Sequence, residues 1–166
     1  LKEKSRNIAL VYLACGLDPN KCALYLQSDV PQIPELYLIF NMHAYLGELE
    51  REATFKEKVR EQPHNVNAGL LTYPVLMTVD IIIHRAHKVP VGKDQQQHVE
   101  MSRDFVRRFN NLYGVQYFPE PEAFSFADKL VNVPSLDGEG KMSKSKPDHT
   151  CIYLEDEPDV IRKKMM

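Results

Sequence analysis

No run of apolar residues in this 166-residue sequence is long enough to span a bilayer, which argues against a helical membrane anchor within it. No signal peptide opens it, and it holds no internal repeat and no low-complexity segment. Cysteine is sparse. Cys15, Cys22 and Cys151 are odd in number and lack metal-ligand spacing, the usage of reduced thiols in a cytosolic protein rather than of a disulfide framework. Excess charge is missing too: Lys+Arg 21 against Asp+Glu 23 leaves a net charge of −2. The chain as a whole therefore has no electrostatic footprint for nucleic acid, and such a contact requires a local basic patch. A metal cluster is equally hard to find. His84 and His87 lie about one helical turn apart, but no third ligand with sensible spacing is nearby, so they read as surface histidines.

What is present suffices for one respectable core, with 43% hydrophobic residues in 166. Both ends read as cut. Residue 1 is Leu, residues 2–15 already have the rhythm of a helix with Gly16 as its cap, and residues 159–166 form a helix without a stop signal. The expectation is a piece of a longer protein. In the first helix Ile8, Val11 and Tyr12 share a face that Ala9, Leu10 and Leu13 widen. Residues 23–26 read as a short buried strand, followed by helices over 34–47 and 68–85, a strand over 88–91 and a helix over 93–112 that closes at Gly114. A further strand is expected over 129–133, stopped by Pro134. This alternation predicts an α/β fold with parallel strands. The face of helix 34–47, with Leu36, Phe40, His43 and Leu46, suits either the core or another subunit. Residues 54–60 read as a short basic helix with a solvated face.

The most informative stretch is 68–98. From Leu70 to Ile83 the residues are almost all apolar, and Asp80 is the one acid among them. An ionised carboxylate buried in such surroundings is costly unless something donates to it. Lys88-Val89-Pro90-Val91 then ends at Gly92, and a polar helix begins with Asp94, Gln95, Gln96 and Gln97. Strand, glycine turn and helix N-terminus make a ligand site at the carboxyl end of a parallel strand. His98, on that helix, reads as structural.

A second informative stretch is a basic loop. After Gly138 and Gly140, three lysines and two serines occupy the six positions 141–146. Like charges so close repel unless water screens them or an anion with several oxygens sits among them. Composition alone allows a solvated loop. A polyphosphate is the alternative, with lysines as point charges and serines and backbone amides as donors.

The order of residues adds to this. Lys141-Met142-Ser143-Lys144-Ser145 is the complete KMSKS signature of class I aminoacyl-tRNA synthetases, and Gly92-Lys93-Asp94-Gln95 resembles the Gly-x-Asp-Gln turn of the tyrosine and tryptophan enzymes. Gly47-Glu48-Leu49-Glu50-Arg51, Phe55-Lys56-Glu57-Lys58, Gly69-Leu70-Leu71-Thr72-Tyr73-Pro74 and Val89-Pro90-Val91-Gly92 are similar to bacterial-type tryptophanyl-tRNA synthetase, and the resemblance covers essentially the whole chain. It implies that residues 1–166 form part of a Rossmann-like nucleotide-binding catalytic domain with inserted dimer-interface helices. The half carrying the His-Ile-Gly-His-like turn and the anticodon-binding domain lie outside the sequence.

Residue by residue, the resemblance implies that Asp80 accepts the indole N–H of tryptophan, inside a pocket walled by Met77, Ile81, Val89 and Val91. Tyr73 and Gln95 face the backbone groups of the amino acid. Gly92 and Asp94 lie against the ATP ribose, Met142 presents its backbone to adenine, and Val133 neighbours it. Lys58, Lys141 and Lys144 reach the phosphates, with Ser143 and Ser145 completing the ATP set, and Lys141 and Lys144 are the catalytic pair. The implied reaction is ATP-dependent formation of tryptophanyl-adenylate, then transfer to tRNA(Trp), in a cytoplasmic homodimer. Mg²⁺ accompanies the nucleotide, without a dedicated protein site. Two departures from the family pattern add positive charge near the nucleotide: Lys93 in the turn where an acid is usual, and Lys146 where Asp is common. Two other readings stay open: a tyrosyl-tRNA synthetase, and a catalytically dead synthetase-like module used for dimerisation or RNA binding.

Overall fold

The computed structural model describes residues 2–92, 95–125, 133–144 and 146–166. In chain order its helices are α1 (Lys2–Ala14), α2 (Gln32–Asn41), α3 (Leu46–Leu49), α4 (Ala53–Glu61), α5 (Ala68–Ile82), α6 (Gln96–Tyr113) and α7 (Pro158–Met165). Its strands are β1 (Lys88–Pro90) and β2 (Glu122–Phe124). The chain forms two compact units, one of Leu26–Asp128 and the other of Leu1–Tyr25 with Lys129–Met166.

The unit Leu26–Asp128 is built around α5, which is apolar nearly all round and is packed by α2 and α6. Asn67 starts α5: its Oδ1 accepts the Leu70 amide at 3.0 Å. Pro74 sits inside the helix and has no N–H to give, and nearby Thr78 and Ser102 share a 2.9 Å hydrogen bond that ties α5 to α6. The buried residues of α6 are His98, Val99, Ser102, Phe105, Val106 and Asn110, a spacing that forms one face. Phe40 stacks on Phe109 with centroids 5.1 Å apart and meets Phe118 edge-on at 5.8 Å. Helix α6 carries the chain from β1 to β2, which pair in parallel with Val89 opposite Ala123. The predicted α/β alternation with parallel strands is therefore observed, and Val91 extends the ladder by donating to the Phe124 carbonyl at 3.0 Å.

Buried Asn110 holds the chain after α6. Its Nδ2 donates to the Phe118 carbonyl at 2.9 Å, and its Oδ1 accepts the Tyr117 and Phe118 amides at 3.2 and 3.4 Å. Gly114, at φ 64°, supplies the left-handed cap that turns the chain toward these amides. Asn110→Ala is expected to lower unfolding stability by about 1–3 kcal/mol, because buried groups on the 117–118 backbone lose their partners. Urea midpoints at unchanged slope check this.

Several expectations need correction. Helix 34–47 is two helices with a break at 42–45. Asn41 turns its Nδ2 back to the Tyr37 carbonyl at 2.8 Å, and Arg108 takes the His43 carbonyl at 2.8 Å, so the backbone groups at the break are satisfied without a continuing helix. Residues 23–26 are exposed and carry no regular secondary structure, so the buried strand expected there does not form. Of the strand expected over 129–133, residues 129–132 lie outside the described residues. Val133 accepts the Met142 amide at 2.8 Å, and Pro134 bridges to Lys141 in antiparallel sense. Strand β2 directly follows Pro121, where the sequence alone predicts no element.

In the other unit, α1 forms as expected, but Ile8, Leu10, Tyr12 and Leu13 on it are exposed rather than core. Pro158 opens α7 at its first turn, and Lys164 fastens that helix to Asp156 at 2.8 Å and Asp148 at 3.2 Å. Among the described residues no helix is long and apolar enough to cross a membrane.

Candidate functional site

The residues singled out in the sequence fall into two groups, one in each compact unit. In the unit Leu26–Asp128, α5 presents Tyr73, Met77 and Asp80, spaced four and three apart and hence on one side of the helix. Ile81 belongs to the core itself, and Met77 and Val89 pack against that core from outside. Val91 is half-buried and Gly92 is exposed at the end of β1. Gln95, just before α6, donates its amide to the Gly92 carbonyl at 3.0 Å. Lys93 and Asp94 lie outside the described residues.

Asp80 differs from its expectation. It is exposed, not buried, although its sequence neighbours Val79 and Ile81 are in the core. A helix turns about 100° per residue, so an apolar stretch surrounds a residue in sequence without surrounding it in space. The donor that its charge calls for is an amide: Gln27 Nε2 reaches both carboxylate oxygens, at 2.8 and 2.9 Å. Gln27 was not visible as a partner from the sequence, because 53 residues separate the two.

Tyr73 is the most elaborately surrounded of these side chains. Its hydroxyl lies 3.3 Å from His98 Nε2 on α6 and 3.5 Å from Oε2 of Glu52, the residue that caps α4. Burial, with the Glu52 charge as the next cause, raises the phenol above its ordinary value and keeps the hydroxyl protonated. Glu52 and His98 are themselves buried. Sequence reasoning treated His98 as structural and missed Glu52. The available signal was a carboxylate placed just before the helix at 53, in N-cap position.

Lys58 on α4 is paired with Glu61 at 2.8 Å, and that hydrogen bond is the main cause holding its ammonium above the ordinary lysine value. Any anion that Lys58 meets must compete with this neighbour.

In the other unit the basic loop is a compact hairpin. Gly138 and Gly140 both have φ +74°, a backbone state that suits glycine. Ser135 donates its amide to the Gly140 carbonyl at 2.9 Å, and Asp137 Oδ1 accepts the Glu139 amide at 2.9 Å. That amide is the first cause holding the Asp137 carboxyl below its usual range. Lys146 donates its Nζ to the Glu139 carbonyl, so this departure from the family pattern acts within the hairpin. Lys141 and Lys144 are exposed, Met142 and Ser143 are half-buried, and Val133 is exposed. Ser145 lies outside the described residues. The loop thus displays its lysines from a hydrogen-bonded frame, which is an arrangement able to receive an anion without first ordering the backbone.

The model of the family described as tRNA synthetases class I (W and Y) matches residues 1–166. A curated tryptophan--tRNA ligase from Porphyromonas gingivalis is 61% identical over 161 residues, covering 97% of this chain and 49% of that protein. A crystal structure of tryptophanyl-tRNA synthetase from Campylobacter jejuni, complexed with ADP and tryptophan, has TM-score 0.87 and 39% identity, covering 98% of this chain and 49% of that one. Tyrosyl-tRNA synthetase from Aeropyrum pernix, at TM-score 0.66 and 23% identity over 96% of this chain and 44% of that one, shares the fold. The chain spans about half the length of the curated relatives it matches. With the family model matched along its whole length, the chain belongs to the class I tRNA synthetases of the tryptophan and tyrosine group.

Proposed function

We propose that this chain is part of the catalytic domain of a tryptophan--tRNA ligase. Residues 1–166 would supply a tryptophan-recognising helix and a phosphate-binding loop to a longer, cytoplasmic enzyme. The observation that carries the reading is the side of α5 bearing Tyr73, Met77 and Asp80, with Asp80 held by the Gln27 amide. The relatives named above as tryptophan enzymes support indole over phenol as the ring recognised.

In the reaction, a carboxylate oxygen of tryptophan forms a bond to the α-phosphorus of ATP. The bond from that phosphorus to the bridging oxygen breaks, and pyrophosphate leaves. A ribose hydroxyl of tRNA(Trp) then attacks the carbonyl carbon of the adenylate, and AMP departs. No side chain need become covalently attached. Catalysis is positioning together with stabilisation of developing phosphate charge. Asp80 accepts the indole N–H, Met77, Ile81, Val89 and Val91 contribute apolar contact, and Tyr73 and Gln95 receive the backbone groups of the amino acid. Gly92 and Asp94 serve the ribose, and Met142 with Val133 the adenine. Lys58, Lys141 and Lys144 carry the phosphates, assisted by Ser143 and Ser145. Mg²⁺ enters with the nucleotide. The cationic side chains are this chain's own contribution to offsetting the phosphate charge.

The test is ATP–pyrophosphate exchange by a full-length protein carrying this segment. Exchange driven by tryptophan and not by tyrosine is the expected result. Exchange driven by tyrosine supports the phenol-binding alternative, and none with either supports a non-catalytic module.

The same protein is proposed to be a homodimer. Leu38, Met42, Tyr45 and Leu46, on α2, α3 and the break between them, are each more than half exposed. Analytical ultracentrifugation at micromolar concentration is expected to show a dimer. A clean monomer refutes it.

A further inference from the structure

Glu52 Oε1 and His98 Nδ1 are buried, face each other at 3.8 Å, and are both without a hydrogen-bond partner. A carboxylate oxygen and a ring nitrogen orphaned side by side are costly as they stand, and they lie roughly 1 Å beyond hydrogen-bond length. Their other polar atoms are engaged, and the Tyr73 hydroxyl also lies 3.5 Å from Glu52 Oε2. Glu52 Oε2 accepts the Phe55 amide at 2.5 Å. His98 Nε2 lies 3.3 Å from the Tyr73 hydroxyl, and the two rings meet edge to face at 5.5 Å. The row Glu52–His98–Tyr73 thus runs from α4 to α6 to α5 and ends at the one phenol proposed to face the amino acid.

We infer that Glu52 and His98 are positioning residues that draw the Tyr73 hydroxyl proton inward, leaving the phenol oxygen to accept from the α-ammonium of the amino-acid substrate. This rests on the proposed role of Tyr73. With its proton on Nδ1, toward Glu52, the imidazole keeps a lone pair on Nε2 for the hydroxyl proton of Tyr73. A phenol whose proton is committed in this way presents only lone pairs outward. It suits a positively charged donor and offers nothing to a carboxylate. Networks of this kind are often long in the free protein and tighten when the substrate binds, which gives the 3.8 Å gap a use. The carboxylate also brings negative charge behind the phenol, which favours a cation in front of it.

The test uses a full-length synthetase carrying this segment and two ligands: tryptophan and indole-3-propionate, which keeps ring and carboxylate but lacks the ammonium. Affinities come from titration calorimetry. Wild type is expected to prefer tryptophan by about tenfold or more, the scale of one hydrogen bond to a charged group. Glu52→Gln and His98→Asn should each weaken tryptophan about tenfold while moving indole-3-propionate by less than about twofold. Tyr73→Phe should cost as much, and Glu52→Gln added to it should cost nothing more. His98→Asn leaves the cap of α4 intact, so it reads the network even if Glu52→Gln does not fold. Equal losses for both ligands, or no loss for tryptophan in His98→Asn, overturn the positioning role and leave the reading of Tyr73 standing. A wild type that does not distinguish the two ligands overturns the role of Tyr73 and this inference with it.

Discussion

Asp80→Ala in a full-length synthetase carrying this segment is expected to lower kcat/KM for tryptophan by about 10- to 100-fold and to leave the KM for ATP within about twofold. The carboxylate is exposed and already takes two hydrogen bonds from the Gln27 amide. A carboxylate has about four lone-pair sites, so one more donor, the indole N–H, can be accommodated without displacing Gln27. Gln27 fixes the orientation of the acceptor, and the substrate supplies the remaining donor. Sites that recognise a substrate N–H reject analogues lacking it, because the polar group is left unpaired on binding. Asp80→Ala should therefore also narrow the preference for tryptophan over an analogue with sulfur in place of the indole nitrogen. Specificity constants for both amino acids, in both proteins, decide the matter. An unchanged ratio makes Asp80 a surface acid whose partner is Gln27 alone, and removes the chief physical support for an indole substrate.

The second large effect is expected at Lys144. If the exposed lysines of the hairpin hold pyrophosphate as it departs, Lys144→Ala removes a charge contact made in the transition state, at a cost of about 2–4 kcal/mol. Turnover and specificity constant should fall together, by about 30- to 1,000-fold at that cost. The frame of the hairpin should be untouched, since it rests on the amides of Ser135, Glu139 and Met142 and not on the Lys144 side chain. Pyrophosphate exchange within about twofold of wild type would show the loop to be a solvated face.

Periodicity and capping made much of this architecture legible. The helices at 2–14 and 96–113 announce themselves by apolar spacing and a terminal glycine, and the strand at 88–90 by its punctuation with Gly92. Other features depend on partners far away in sequence. A three-residue strand directly after a proline has no period to detect, so β2 becomes visible only against β1. The break after Asn41 comes from a side chain competing for a helix carbonyl and from Arg108, which arrives from more than 60 residues away. The KMSKS residues could be picked out by their order alone, whereas their hairpin frame could not. Asp80 was identified correctly as a group needing a donor and incorrectly as buried, because linear neighbours were counted as spatial ones. Gln27, Glu52 and His98 needed the fold, since each acts on a residue more than 20 positions away.

Position 52 serves two masters. One carboxylate oxygen closes the first turn of α4, and the other faces His98. Helix caps are ordinarily among the most interchangeable letters of a sequence, with Ser, Thr, Asp and Asn all serviceable. Any of these could still close α4, but each lacks the second methylene that carries Oε1 to within 3.8 Å of His98 Nδ1. A glutamine would have the reach but would bring an amide without the charge. If the inferred role of Glu52 holds, the overlap of the two duties narrows the permitted alphabet at this position well below the one that helix capping alone allows.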